Sequence, residues 1–186
     1  MITMRKLIFF IMVGFIIVLL ITVNNNSMSQ NAIQQNIPLE TYVGKWYINM
    51  TTFPMWLKGD KKNPTFNYTI QTKNEKPTLH GDVQYFNKKG KLKHITGFDK
   101  PMNDYNTAFQ WRGKGFLWLF KSNWSIIAYH REQQWAIMYF EKTLATPEGY
   151  DVFSKQKQLD DKTLETINKK LEELGLKENL KMLKQE

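Results

Sequence analysis

The stretch that decides the fold reads GKWYINM at residues 44–50, where Trp46, Ile48 and Met50 stand at every second position. This alternation is typical of a β-strand with one buried face. Working outward, the same pattern recurs between turn signals at residues 65–71, 79–85, 92–98, 107–112, 124–130, 134–142 and 150–155. Because most of the links are short, the sequence predicts eight strands in a meander, as in an up-and-down barrel or a sandwich.

A single helix is predicted after the strands. Asp160 is a favoured N-cap, Ile167 and Leu171 recur at helical spacing, and Gly175 stands where a C′ glycine belongs. The strands at residues 124–140 carry apolar side chains on both faces. We therefore expect the helix to pack on the outer side of these strands.

The N-terminus has the pattern of a targeting segment. Arg5 and Lys6 precede an almost uninterrupted apolar block at residues 7–23, which is typical of chains that enter the secretion machinery. The block lies between the usual lengths of a signal-peptide core and of a spanning helix. Two interpretations stay open, a signal peptide at residues 1–29 or a retained N-terminal hydrophobic helix that anchors the chain.

Length and composition indicate how the rest of the chain is organised. The chain has 186 residues, 42% of them hydrophobic, which is enough for one domain with a sizeable core. We expect a polar tether at residues 30–36, the folded domain at residues 37–176 and a charged tail at residues 177–186. Either N-terminal interpretation predicts an exported protein, secreted or held at the extracellular face of the cell membrane. Frequent Lys, Asn and Ile and export without cysteine favour a bacterial source.

Several motifs resemble those of the lipocalin family. Gly44 and Trp46 form its G-x-W signature at the start of the first strand, and eight strands and a helix follow in the family's order. Residues 127–132 stand where the family has its second motif, and Lys155 where the third has an arginine. Residues 158–161 resemble the junction into the helix of bacterial outer-membrane lipocalins and apolipoprotein D. The resemblance implies an all-β fold, an eight-stranded antiparallel up-and-down barrel with one C-terminal α-helix packed outside.

One end of such a barrel is predicted to be closed. Trp46 follows a glycine that allows close backbone approach, so its indole can fill that end. A cation over the indole contributes roughly 0.5–2 kcal/mol, and Lys155 can supply it. Gly44, Trp46 and Lys155 are therefore expected to have a structural role.

The interior is predicted to bind a small hydrophobic ligand, a fatty acid or lipid. Pattern alone does not separate a filled barrel from a hollow one, but the family resemblance favours a cavity. Gly81 and Gly97 are expected to leave room in it. The residues predicted to line the cavity are Ile48, Met50, Phe66, Tyr68, Ile70, Leu79, Val83, Tyr85, Phe109 and Trp111.

Two loops are predicted at the open mouth. Residues 51–64 contain Phe53, Trp56 and Leu57 beside lysines, and residues 113–122 contain Trp118. Apolar side chains next to lysines can insert into a membrane surface, so we expect these four residues to make mouth or membrane contact. The second segment is equally compatible with a ninth short strand or a core plug.

Other chemistries receive little support. His80, His94 and His130 are scattered without metal-ligand spacing, and no nucleophile motif or phosphate loop occurs. Zero cysteine excludes disulfides and thiolate metal sites. We expect no enzyme, no metal or cofactor and no nucleic-acid partner. The net charge of +9 keeps open a basic surface protein that binds an anionic polymer or partner, and a haem or porphyrin binder is a second alternative.

Overall fold

The strands close into a barrel. A computed structural model describes residues 32–73, 75–144 and 146–186. Each strand is antiparallel to the next, and β1 pairs with both β8 and β2, which closes the ring. The predicted eight-stranded up-and-down barrel is thus confirmed. Its strands are β1 Gly44–Thr51, β2 Lys61–Lys73, β3 Lys76–Asn87, β4 Leu92–Pro101, β5 Ala108–Gly113, β6 Lys121–His130, β7 Trp135–Phe140 and β8 Gly149–Ser154.

Among the described residues, four helical segments accompany the barrel: a 3₁₀ helix Leu39–Tyr42, a short α1 Pro54–Leu57, a 3₁₀ helix Gly115–Leu119 and the C-terminal α2 Asp161–Glu173. The predicted cap of α2 is present, because Thr163 N donates to Asp160 Oδ1 at 2.7 Å. Within the described ranges no helix is long and apolar enough to cross a membrane. The predicted signal peptide or N-terminal hydrophobic helix falls on residues outside those ranges.

Apolar side chains pack on both sides of the sheet. Inside the barrel they form one cluster that includes Trp46, Ile48 and Phe109. Outside, α2 contributes Ile167 and Leu171 to a second cluster against strands β6, β7 and β8. The helix therefore covers the outer face of the doubly apolar strands, as their pattern predicts.

A β-bulge in β1 changes which way its last residues point. The register shifts between Ile48 and Met50, so that Ile48 pairs with Phe153 and Met50 with Val152. One extra residue on one strand reverses the alternation beyond it. Met50 consequently packs in the outer cluster under α2, and its prediction as a cavity residue is wrong.

The last ten residues belong to the barrel wall. Residues 177–186 are charged, as the sequence indicates, but β9 Lys181–Met182 pairs with the end of β1. Beyond Tyr47 the strands β1 and β2 are no longer paired with each other, which leaves backbone groups of β1 to be satisfied. Leu183 N donates to Asn49 O at 2.8 Å, and Gln185 is buried. The folded domain therefore extends past residue 176.

Candidate ligand-binding site

The half of the barrel nearest the start of β1 is filled with aromatic rings. Tyr42, from the first 3₁₀ helix, lies edge-on to Phe109 and Tyr68, with ring centroids 5.3 and 6.4 Å away. Phe109 stacks on Trp124 at 4.3 Å. The space left among these rings is about 10 Å³, too little for a ligand.

A carboxyl group is buried in this filled half. Asp99 is almost fully buried and accepts a hydrogen bond from Trp124 Nε1 at 2.6 Å. Burial raises the pKa of Asp99 to about 7, against the smaller opposing effect of the indole hydrogen bond. Burial above all, and also the charge of Asp99, raises the pKa of Tyr68. Asp99 thus serves as a packed, hydrogen-bonded part of the core.

The predicted closed end is assembled from Gly44, Trp46 and Lys155. Trp46 donates from Nε1 to Tyr42 O at 2.7 Å, and Lys155 Nζ lies 4.2 Å from the indole centroid. Lys155 Nζ also donates to Val43 O at 2.7 Å. Gly44 has φ +95°, a conformation that favours glycine. Desolvation lowers the pKa of Lys155 to about 8.

The opposite half of the barrel is hollow. A cavity of about 830 Å³ opens at the end where β1 finishes, within the size range of small-molecule sites. Its wall is mostly apolar. All but one of the polar residues that line it are partly exposed and lie towards the rim. The apolar lining consists of Phe53, Met55, Trp56, Phe66, Ile95, Trp111, Leu117, Leu119, Phe120, Phe140 and Leu144.

One buried polar side chain lines this cavity among the described residues, that of Asp151 on β8. Thr51 Oγ1 donates to Asp151 Oδ1 at 2.5 Å. Burial raises the pKa of Asp151 to about 7, and the threonine hydrogen bond opposes this shift. Sequence reasoning missed Asp151, although its position two residues before the inward-facing Phe153 is a signal that could have found it.

The ten predicted cavity residues are distributed over the open cavity, the filled core and positions that face neither. Phe66 and Trp111 line the open cavity. Ile48, Tyr68, Leu79 and Phe109 are buried in the filled core. Val83 and Tyr85 are half-buried, and Tyr85 lies edge-on to Trp56 of the open cavity. Ile70 is 36% exposed near the closed end of β2, and Met50 lies under α2, so neither faces the cavity. The inward periodicity identified the interior but could not separate its solid part from its hollow part.

The two glycines expected to leave room do not enlarge the cavity. A Cβ on Gly97 would lie 2.2 Å from Trp111 Nε1, so the indole occupies the space over that glycine. A Cβ on Gly81 would lie 2.9 Å from Asp99 Oδ2 and 3.1 Å from Tyr68 Cε1. Both glycines are therefore needed for close packing of neighbouring side chains.

The four predicted mouth residues separate into two pairs. Phe53 and Trp56 are buried and line the cavity, with Trp56 edge-on to Tyr85 at 5.9 Å. They lie inside the mouth, so the structure does not offer them to a membrane. Leu57 is exposed, and Trp118 is 58% exposed on the loop between β5 and β6.

The β5–β6 loop forms an apolar surface at the mouth, made of Phe116, Trp118, Leu119 and Phe120. All four side chains are exposed, Phe116 by 83%. The segment is a 3₁₀ helix, neither the ninth strand nor the core plug considered from sequence. Lysines stand on every loop at this end of the barrel, including Lys58, Lys88, Lys89, Lys114 and Lys142.

None of the three histidines lines the open cavity. His94 Nδ1 lies 2.9 Å from Asp82 Oδ2, and His130 stacks on Trp135 with centroids 5.5 Å apart. His80 lies edge-on to Phe98 at 5.2 Å. In the part of the chain that the structure describes, no group of three His, Asp or Glu side chains could bind a metal ion.

Comparison with known families identifies the domain. Residues 37–185 match the family model described as a lipocalin-like domain. This match includes the C-terminal residues that pair with β1. No curated protein matches the chain.

Solved structures share the fold at low sequence identity. The allergen Per a 4 from cockroaches is 15% identical, with a TM-score of 0.64 over 83% of this chain and 92% of that chain. Insecticyanin from the tobacco hornworm Manduca sexta is 13% identical, with a TM-score of 0.61 over 82% of each chain. Lobster apocrustacyanin A1 is 16% identical, with a TM-score of 0.58 over 80% of this chain and 79% of that one.

Proposed function

The chain belongs to the lipocalin-like family, and on that premise we propose that it is an exported carrier of a fatty acid or other lipid that acts at a membrane surface. Members of this family are typically binding or transport proteins rather than enzymes, and they bind small hydrophobic ligands. The observation that carries the proposal is the apolar cavity of about 830 Å³ at the barrel mouth. Each CH₂ group buried there contributes about 0.8 kcal/mol before losses.

The shape and chemistry of the cavity suit an acyl chain. Rings of Phe53, Trp56, Phe66, Trp111 and Phe140 surround it, and such walls bind apolar chains without directional contacts. The polar rim can keep a headgroup in water while the chain is buried. This arrangement supports a ligand with a long apolar part.

Export and membrane contact are supported by two features. The basic and apolar N-terminal pattern is typical of secreted or anchored chains. At the mouth, the exposed Phe116 and Trp118 lie beside loop lysines, and aromatic groups next to cations bind anionic lipid surfaces. Ligand would then pass directly between the bilayer and the cavity.

The cavity is tested by filling it. The full chain is titrated with a polarity-sensitive apolar fluorophore, which dodecanoic acid then displaces. Ile95→Trp places a large ring in the cavity wall and should weaken fluorophore binding at least about tenfold. Ile70→Trp makes the same substitution at an exposed position and should leave binding unchanged. Equal, unsaturable binding by all three proteins would disprove the carrier.

Membrane contact is tested separately with vesicles of phosphatidylcholine containing phosphatidylglycerol. Replacing both Phe116 and Trp118 by Ser should reduce vesicle binding at least about tenfold, because two exposed aromatic side chains no longer insert. Tyr105→Ser is the matched control, since Tyr105 is exposed on the β4–β5 loop at the opposite end. Equal loss in the control would refute docking through the mouth.

A further inference from the structure

Asp151 presents an unused hydrogen-bond acceptor to the open cavity. Its Oδ1 accepts from Thr51 Oγ1 at 2.5 Å, and Thr51 Oγ1 accepts from Phe53 N at 2.9 Å. The second oxygen, Oδ2, accepts no hydrogen bond from any residue that the structure describes. The side chain is 1% exposed and lines the open cavity, so the donor for this oxygen has to come from a molecule inside the cavity, water or ligand.

The surroundings supply no compensating charge. The charged side chains that line the cavity are Lys121, Glu141 and Lys142, all towards the rim, and none forms an ion pair with Asp151 among the described residues. A buried acceptor without a donor costs free energy, and buried polar groups are normally hydrogen-bonded. A carboxyl group in an apolar ligand site is therefore explained best by a partner on the ligand.

We propose that the cavity selects lipids whose polar end carries a hydrogen-bond donor, a hydroxyl or an ammonium group, which binds Asp151 Oδ2. The inference rests on the proposed function, since it names the chemistry of the ligand that the cavity takes. The apolar chain then packs against Phe66 and Trp111, which line the same cavity. A ligand that presents only acceptors at its polar end leaves the ionised Asp151 Oδ2 and its own acceptor without a donor and binds more weakly.

The test compares probes that differ only in the donor. Dodecan-1-ol and 1-methoxydodecane are used to displace the apolar fluorophore from the full chain, with 1-aminododecane as a third probe, at about pH 9, where Asp151 with its pKa of about 7 is ionised. The alcohol should bind at least about tenfold more tightly than the ether, because a hydrogen bond to a buried carboxyl is lost in the ether. 1-Aminododecane distinguishes the two donor types. It should bind more tightly than dodecan-1-ol if the site prefers an ammonium group to a hydroxyl.

Two variants identify the residue responsible. Asp151→Asn keeps the shape and an oxygen for Thr51 but can turn its amide N–H towards the ligand, so the preference for alcohol over ether should disappear. Asp99→Asn is the matched control, because Asp99 is equally buried but hydrogen-bonded to Trp124 and absent from the cavity wall. It should keep the preference of the unmodified chain.

The outcomes separate the inference from the proposed function. If alcohol and ether displace the fluorophore equally from the unmodified chain, the donor inference is overturned while the carrier stands. This comparison uses only the unmodified chain, so it still decides the question if Asp151→Asn fails to fold. If no probe displaces the fluorophore, the carrier fails and the inference fails with it. A preference that survives in Asp151→Asn also overturns the assignment to Asp151.

Discussion

The two halves of the barrel each bury one aspartate, and the two sites differ in what faces the carboxyl. In the filled half, Asp99 is enclosed by rings and accepts from Trp124 Nε1. In the hollow half, Asp151 accepts from Thr51 but turns its other oxygen to a cavity of about 830 Å³. Burial raises both pKa values to about 7. Equal burial and equal titration therefore do not imply an equal role, since only one carboxyl faces space for a ligand.

The difference arises from what enters the barrel at each end. At the closed end the first 3₁₀ helix places Tyr42 against Phe109 and Tyr68, and the rings fill the interior. At the open end the loop containing α1 lines the wall with Phe53 and Trp56 and leaves the centre empty. One half therefore supplies stability and the other the binding volume.

The largest effect is expected when one aromatic side chain is truncated in each half of the barrel. Phe109→Ala should lower the free energy of unfolding by about 3–5 kcal/mol, because it leaves a cavity in packed core. Trp111→Ala, at a half-buried position beside existing space, should cost about 1–2 kcal/mol and weaken ligand binding more. Urea unfolding and fluorophore titration measure the two effects. Equal stability losses would show that the halves do not differ in packing.

The pH dependence tests the pair of carboxyls. Both folded-state pKa values, about 7, exceed the ordinary 3.8, so the folded protein binds more protons between these values. The contribution of these two carboxyls to the free energy of unfolding is therefore complete below about pH 4. It is lost as the pH rises through about 7. We expect a loss on the order of 4 kcal/mol for each carboxyl by pH 8 in urea unfolding.

Asn variants assign this loss. Asp99→Asn and Asp151→Asn should each remove part of the decline between pH 4.5 and pH 8. Asp160 serves as the control, because hydrogen bonds from Thr163 lower its pKa and its effect lies at more acidic pH. Stability that stays level over the same interval in the unmodified chain would contradict the raised pKa values.

An intermediate loss of stability is expected where β1 and β2 separate and the C-terminus bridges them. Gln185 Nε2 donates to Ile48 O at 2.7 Å and to Pro64 O at 3.2 Å, which joins the two strands across the gap. Gln185→Ala leaves two buried carbonyls without this donor and should cost about 1–2 kcal/mol. Gln71→Ala, at an exposed position on β2, should change stability little. Similar unfolding curves for both variants would show that the C-terminus does not stabilise the barrel.

The smallest effect is expected at the closed end. Lys155→Arg places a planar cation over Trp46 and should add about 0.5 kcal/mol. Because burial lowers the pKa of Lys155 to about 8, the lysine loses its charge above that pH while arginine keeps it. The gain measured by thermal unfolding should therefore be larger at pH 9 than at pH 7. A gain independent of pH would exclude a contribution from the charge.

Local features of the sequence were sufficient for the elements and their order. Period-two alternation identified the strands, and Asp160, Ile167 and Gly175 identified α2, because caps and periodicity depend on residues close in the chain. The motif residues Gly44 and Trp46 pointed to the family. The pairing that closes the ring was expected only through that resemblance.

The tertiary structure decided which side chains face the cavity. The bulge that turns Met50 outward depends on pairing with β8, and the burial of Trp56 depends on how its loop folds over the mouth. Whether a side chain such as Tyr42 or Gln185 fills a gap depends on contacts between residues far apart in the chain. Alternation reports only that a residue points inward. Whether packed rings or open space lies there is a property of the whole barrel, and so is the role of Asp151.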